Sequence, residues 1–125
     1  MMKLVPFAIL ASCITVYGAT MPCSIHPPKR ARASSLPALT KVSQADAERT
    51  ALASIGAPAG AKVAEGELEV EHGCLVYSFD IRMPGQSGIE EVMVDPGTGK
   101  VISHTHESAR QEAAEQVKDE AARHR

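Results

Sequence analysis

Two alternating runs on either side of His72-Gly73 restrict this chain more than any other feature. From Ala61 to Glu71, the residues Glu65, Glu67, Glu69 and Glu71 alternate with Gly66, Leu68 and Val70. From Cys74 to Met83, the residues Leu75, Tyr77, Phe79, Ile81 and Met83 alternate with Cys74, Val76, Ser78, Asp80 and Arg82. Side chains on a strand point alternately to its two faces, so each run has one face of each kind. His72-Gly73 then reads as a two-residue hairpin turn, with Gly73 supplying positive φ. Pairing Glu71 with Cys74 sets Val70 opposite Leu75, Leu68 opposite Tyr77, Gly66 opposite Phe79 and Ala64 opposite Ile81. A slip of one residue would set Glu against Phe and Tyr, so one register is specified.

The flanking sequence completes a small domain. Ser43-Gln44-Ala45-Asp46 has the form of a capping box. It predicts a helix from Gln44 to Ile55, with Ala47, Ala51, Leu52 and Ile55 on one side and Glu48 towards the middle of that stripe. Gly56 and Pro58 end it. Past the loop Pro84–Gly88, Ile89 to Asp95 predicts a third strand, with Val92 and Val94 on one face and Ile89, Glu91 and Met93 on the other. Asp95-Pro96-Gly97-Thr98-Gly99 is a turn, and Lys100 to His104 a short fourth strand. The expected fold class is α+β: one helix packed on a four-stranded antiparallel meander, over residues 40–104. Such a unit of about sixty residues is near the lower size limit for a stable core. Residues 105–125 are rich in Ala, Glu, Lys and Arg and predict a C-terminal helix. Its apolar stripe of Ala109, Ala113, Val117 and Ala121 is thin, so a solvated tail is expected.

The N-terminus reads as an export signal over residues 1–18. Lys3 precedes an apolar stretch that continues to Ala19, and Pro6, Ser12 and Thr15 interrupt it too often for a spanning helix. Cleavage after Gly18 is one expectation. Leu10-Ala11-Ser12-Cys13 has the form of a lipobox, which would instead leave Cys13 as a lipid-bearing N-terminus. Residues 19–39 carry Pro22, Pro27, Pro28 and Pro37 among Ser and basic residues, and read as a tether without fixed structure. The expected setting is periplasmic or extracellular, or membrane-anchored through the lipid. In such an oxidising setting Cys23 and Cys74 either pair with each other or remain free or intermolecular.

Composition removes several classes of function. Of the 125 residues, 3% are aromatic and none is Trp, so no stacking platform for bases is available. The net charge of −2 gives no bulk attraction to nucleic acid.

The order of these features resembles the PepSY family. The resemblance is carried by Val42-Ser43 opening a helix with Ala47, Ala51 and Leu52, then by the acidic strand and Leu75-Val76-Tyr77. The block Val92-Met93-Val94-Asp95, followed by Pro96-Gly97-Thr98-Gly99-Lys100-Val101, is its most telling part. PepSY domains occur in the propeptides of thermolysin-like metallopeptidases and in secreted or membrane-bound bacterial proteins. The resemblance therefore implies a non-catalytic extracytoplasmic binding module with a protein partner, a peptidase in the family's proposed role of inhibitor or regulator. It transfers no catalytic residues.

The residues agree that no catalytic centre is to be expected. No Gly-x-Ser-x-Gly elbow occurs, and His72 and Cys74 would point to different faces across a tight turn. No cofactor is implied. His104 and His106 share a strand face and are the metal candidates, but no second Cys or His pair completes a structural site; weak metal binding is the alternative they leave. Glu65, Glu67, Glu69 and Glu71 are the candidate partner edge, offering backbone groups to an extended segment and carboxylates to basic partners. They also serve as charge protection against edge aggregation. A second function, from a different class, is an envelope accessory protein anchored by a lipid on Cys13.

Overall fold

The computed structural model describes residues 22–124. The expected signal, residues 1–18, and Cys13 lie outside the described residues. The fold is α+β, with helix α1 (Gln44–Ser54), strands β1 (Lys62–Glu71), β2 (Cys74–Arg82), β3 (Ile89–Val94) and β4 (Val101–Glu107), and helix α2 (Ala109–Arg123). The four strands form one antiparallel sheet in the order β1-β2-β3-β4.

The hairpin takes the register that the alternation specifies: Glu71 pairs with Cys74, Val70 with Leu75, Leu68 with Tyr77 and Gly66 with Phe79. His72 and Gly73 both adopt positive φ, 48° and 81°, as a tight hairpin turn requires. The expected pairing of Ala64 with Ile81 is corrected. A bulge lies between Val63 and Glu65, so Val63 stands opposite Ile81 and Ala64 is the extra residue. That shift turns Val63 back onto the core, which Ala64 would fill less well.

The core lies between α1 and one face of the sheet. Ala47 and Ala51 pack on Tyr77, Phe79, Ile81, Val92 and Val94, with Val42, Leu52, Ile55, Val63, Leu68 and Val101 at its margins. The two alanines let α1 approach the sheet closely, and the aromatic residues fill the space. The Tyr77 and Phe79 rings stack at 6.2 Å, and Tyr77 donates its hydroxyl to the Val42 carbonyl at 2.8 Å. Ser43 caps α1 by accepting from the Asp46 amide at 3.1 Å. Glu48 is half-buried at the edge of the helix's packed side.

Residues 22–39 are not the structureless tether that their composition suggests. Ala33–Leu39 forms a 3-10 helix beside β1, with Leu36 buried. Further upstream, the Leu75 amide donates to the Ile25 carbonyl at 3.0 Å. Pairing between β2 and β3 begins only at Tyr77 and Val94, so Ile25 occupies the place along β2 that β3 has left. Composition identifies a segment with no core of its own; it does not reveal a vacant position on a distant strand.

The C-terminal boundary also moves. β4 runs to Glu107, beyond the expected end at His104, because Glu90 and Ile89 of β3 offer partners to His106 and Glu107. Helix α2 follows directly. Ser108 and Gln111 form a reciprocal capping box at its start.

Candidate functional site

Among the described residues β1 is an edge strand, paired with β2 alone. In a hairpin closed at Glu71 and Cys74, the amides of the Glu residues turn towards β2, and those of Gly66, Leu68 and Val70 turn outward. The Gln44 side chain donates to the outward Gly66 carbonyl at 3.1 Å. Val70 is 45% exposed, an apolar side chain at an edge where a strand would add. The outward edge thus joins free backbone groups to an apolar contact.

The carboxylates of Glu65, Glu67, Glu69 and Glu71 point to the sheet face opposite α1, and they are not alone there. Glu65 stands opposite Asp80, and Asp80 opposite Glu91, so three carboxylates line up across three strands. Glu107 shares this face, and α2 brings Glu112, Glu115 and Asp119 towards it. Cations also reach this face: Arg82 pairs with Glu112, Lys118 lines the same cleft as Glu91 and Glu107, and Arg123 lies by Glu65. Sequence reasoning found the row along β1. It missed the row across the sheet, because the β2–β3 register has no tight turn to fix it.

Burial and neighbouring carboxylates raise the acid pKa values here. Asp80 is pushed up to about 6 by burial first, then by Glu65, Glu107, Glu112 and Glu67. Glu91 reaches about 7 through burial, then through Glu107, Asp80, Glu115 and Glu69. Glu69 and Glu107 shift the same way, burial again leading. In an unfolded chain such groups titrate near about 4. Below that pH both states are protonated and the fold bears no penalty. As pH rises through 6 and 7, the folded carboxyls must ionise against burial and one another, and stability falls. The expected result is a higher urea midpoint at pH 5 than at pH 8. Glu91→Gln should flatten that dependence, whereas an unchanged slope would show that Glu91 does not bear the penalty.

The other candidate residues fall in two places. His104 and His106 both engage Glu90, at 2.7 and 2.9 Å. Burial pulls the Glu90 pKa up, but the two imidazole hydrogen bonds outweigh it and lower it. The imidazole pair is thus bound to a carboxylate that the strand pattern did not single out. Cys23 and Cys74 are joined as a disulfide, which ties the N-terminal segment to the start of β2. Cys74 is therefore not a free nucleophile beside His72.

Asp95 is the buried polar residue at the centre of the second place, 2% exposed. Its carboxylate accepts from the Ser24 amide at 2.7 Å, the Ser24 hydroxyl at 2.6 Å and the Gly97 amide at 2.7 Å. The Thr98 amide adds a fourth bond at 3.3 Å. Burial raises the Asp95 pKa, yet these hydrogen bonds together bring it below the ordinary range. Next to it, the Pro96 carbonyl accepts from the Lys41 and Val42 amides, both at 2.9 Å. The turn that carried the family resemblance thus fastens both the N-terminal segment and the entry to α1. Sequence spacing alone offered no signal for Ser24.

Among the described residues, no helix is long and apolar enough to cross a membrane. Neither the curated proteins nor the solved structures gave a match. The family model described as PepSY, peptidase propeptide and YPEB domain, matches residues 41–105. That span opens just before α1 and runs through most of β4, so it takes in the helix, the hairpin and the Asp95 turn. It characterises a peptidase-propeptide type of module, in a family that is generally non-catalytic and exported. The chain belongs to the PepSY family.

Proposed function

We propose that this chain is a non-catalytic, extracytoplasmic binding module that inhibits or regulates a peptidase, docking it along β1. The observation that carries this reading is the outer edge of β1, which pairs with no further strand among the described residues and has outward backbone groups at Leu68 and Val70 and an exposed Val70 side chain. An extended segment of the partner adds there as a fifth strand. Glu65, Glu67, Glu69 and Glu71 favour a partner whose flanking residues are basic, and discourage self-pairing of edges.

The test is inhibition of a purified thermolysin-like metallopeptidase by the chain supplied in trans. Titrating inhibition is expected, and Glu67→Lys with Glu69→Lys should weaken it by about tenfold, the cost of about 1.4 kcal/mol at the interface. A chain that neither inhibits nor forms a complex with the peptidase contradicts the proposal. Inhibition unaffected by the double variant removes the carboxylates from recognition and leaves the edge itself in place.

Export belongs to the same proposal. A disulfide that bridges Cys23 and Cys74 suits an oxidising compartment. The intact mass of the chain isolated from cells tests it. A start near Ala19 fits cleaved export, an acylated start at Cys13 fits the anchored form, and an intact Met1 contradicts both.

A further inference from the structure

Three ligand-type side chains converge where the N-terminal segment meets the hairpin. One donor atom each from Cys23, His26 and Cys74 lies within 4.8 Å of the others. The His26 ring nitrogens stand 3.7 Å from the Cys23 sulfur. In a tetrahedral zinc site, adjacent sulfur and nitrogen donors are separated by about 3.5 Å and two sulfurs by about 3.8 Å, given the usual bond lengths.

The imidazole is also set in the form that a ligand needs. His26 Nδ1 lies 3.3 Å from the Gly73 carbonyl. A carbonyl only accepts, so in this contact Nδ1 carries the proton and Nε2 is left as the ring's unprotonated ligand atom. Metal-binding histidines are oriented by this kind of backbone contact.

The convergence does not depend on the sulfur–sulfur bond. Ser24, next to Cys23, is held by two hydrogen bonds to Asp95. Ile25 accepts from the Leu75 amide, next to Cys74. His26 is held to Gly73, on the other side of Cys74. Opening the disulfide therefore leaves both thiols and the imidazole beside one another. Cys74 is buried, Cys23 is half-buried and His26 is exposed, so an ion can approach from the His26 side and keep a solvent ligand.

We propose that Cys23, His26 and Cys74 form a redox-gated site for a thiophilic d10 cation, Cu⁺ or Zn²⁺, closed as the disulfide and opened by reduction. The gating step is thiol–disulfide exchange with a dithiol reductant. The Cys23–Cys74 bond breaks, the reductant's two sulfurs become joined, and two electrons and two protons pass to the protein as two thiols. The cation then displaces both thiol protons and takes the Nε2 lone pair. A disulfide oxidant reverses the process: it accepts the two electrons, the bond between Cys23 and Cys74 re-forms and the ion is expelled.

The experiment compares reduced and oxidised full-length chain carrying Cys13→Ser, so that only these two thiols respond. Zn²⁺ and Cu⁺ are titrated separately under anaerobic conditions against chromogenic chelators, and Co²⁺ reports sulfur ligation by its charge-transfer absorption. The reduced chain should take up one ion with sulfur-to-cobalt bands, and the oxidised chain none at this site. Whichever of Zn²⁺ and Cu⁺ survives stronger chelator competition is the preferred ion. His26→Ala retains both thiols and should weaken uptake on the order of tenfold or more. Cys23→Ser should abolish the bands. Failure of the reduced chain to bind either ion, or equal binding by the oxidised chain, overturns the proposal. Indifference to His26→Ala with the bands intact overturns the three-ligand site. Circular dichroism of each variant separates loss of a ligand from loss of fold.

Discussion

Phe79→Ala is expected to destabilise the chain by about 3–5 kcal/mol, read as the shift in urea midpoint at constant slope. Phe79 has no solvent exposure and lies at the centre of the cluster between α1 and the sheet. Its surroundings cannot collapse easily into the space left behind. On the β1 side, the Phe79 ring passes so close to Gly66 that a β-carbon there would meet it at 3.0 Å. Gly66 has no side chain to move into the gap. On the helix side Ala47 and Ala51 offer only a methyl group each. A domain of this size typically has about 5–15 kcal/mol in total, so the loss is a large share of it. A loss below about 1 kcal/mol would show that the core is more plastic than its packing implies.

Asp95→Ala is expected to cost about 3 kcal/mol, because hydrogen bonds to a buried charge exceed neutral ones and several donors lose their acceptor together. Those donors are the Ser24 amide and hydroxyl and the amides of Gly97 and Thr98. Asp95→Asn keeps the shape and should cost less. The pH dependence has the opposite sign to that of Glu91. The folded pKa of Asp95 lies below its unfolded value, so its contribution is present in full above about pH 4 and is lost as pH falls through the folded value. The two groups together place greatest stability between the two limits, near pH 5. Urea denaturation of wild type and Asp95→Ala at pH 7 and at pH 2.5 checks this. The gap between them should be wide at pH 7 and narrow at pH 2.5, and a gap independent of pH would mean that the charge is not what stabilises.

What was legible in the sequence follows from how local each determinant is. The hairpin was readable to the residue, since a two-residue turn and strict alternation leave one register from Glu71 and Cys74 to Gly66 and Phe79. Prediction failed beyond that at Ala64, because a bulge is decided by which side chain best fills the core, here Val63. Helix α1 was readable from its Ser43 cap and its alanines. The docking of residues 22–39 was not, because it depends on Asp95 and Leu75, far away in the chain. For the same reason only half of the acidic face was visible. The β1 row lies in one strand, while Asp80 and Glu91 join it through pairings across strands. Nothing in the sequence spacing joins His26 to Cys23 and Cys74, and only the fold brings the three together.

The most direct test of the account is amide hydrogen exchange of the chain, alone and in complex with a thermolysin-like metallopeptidase that it inhibits. Addition of a fifth strand at β1 would bury the outward amides of Leu68 and Val70, so these should exchange markedly more slowly in the complex. The amides of Glu67 and Glu69, already turned towards β2, should change little. An inhibited complex in which Leu68 and Val70 exchange as fast as in the free chain would contradict docking along β1.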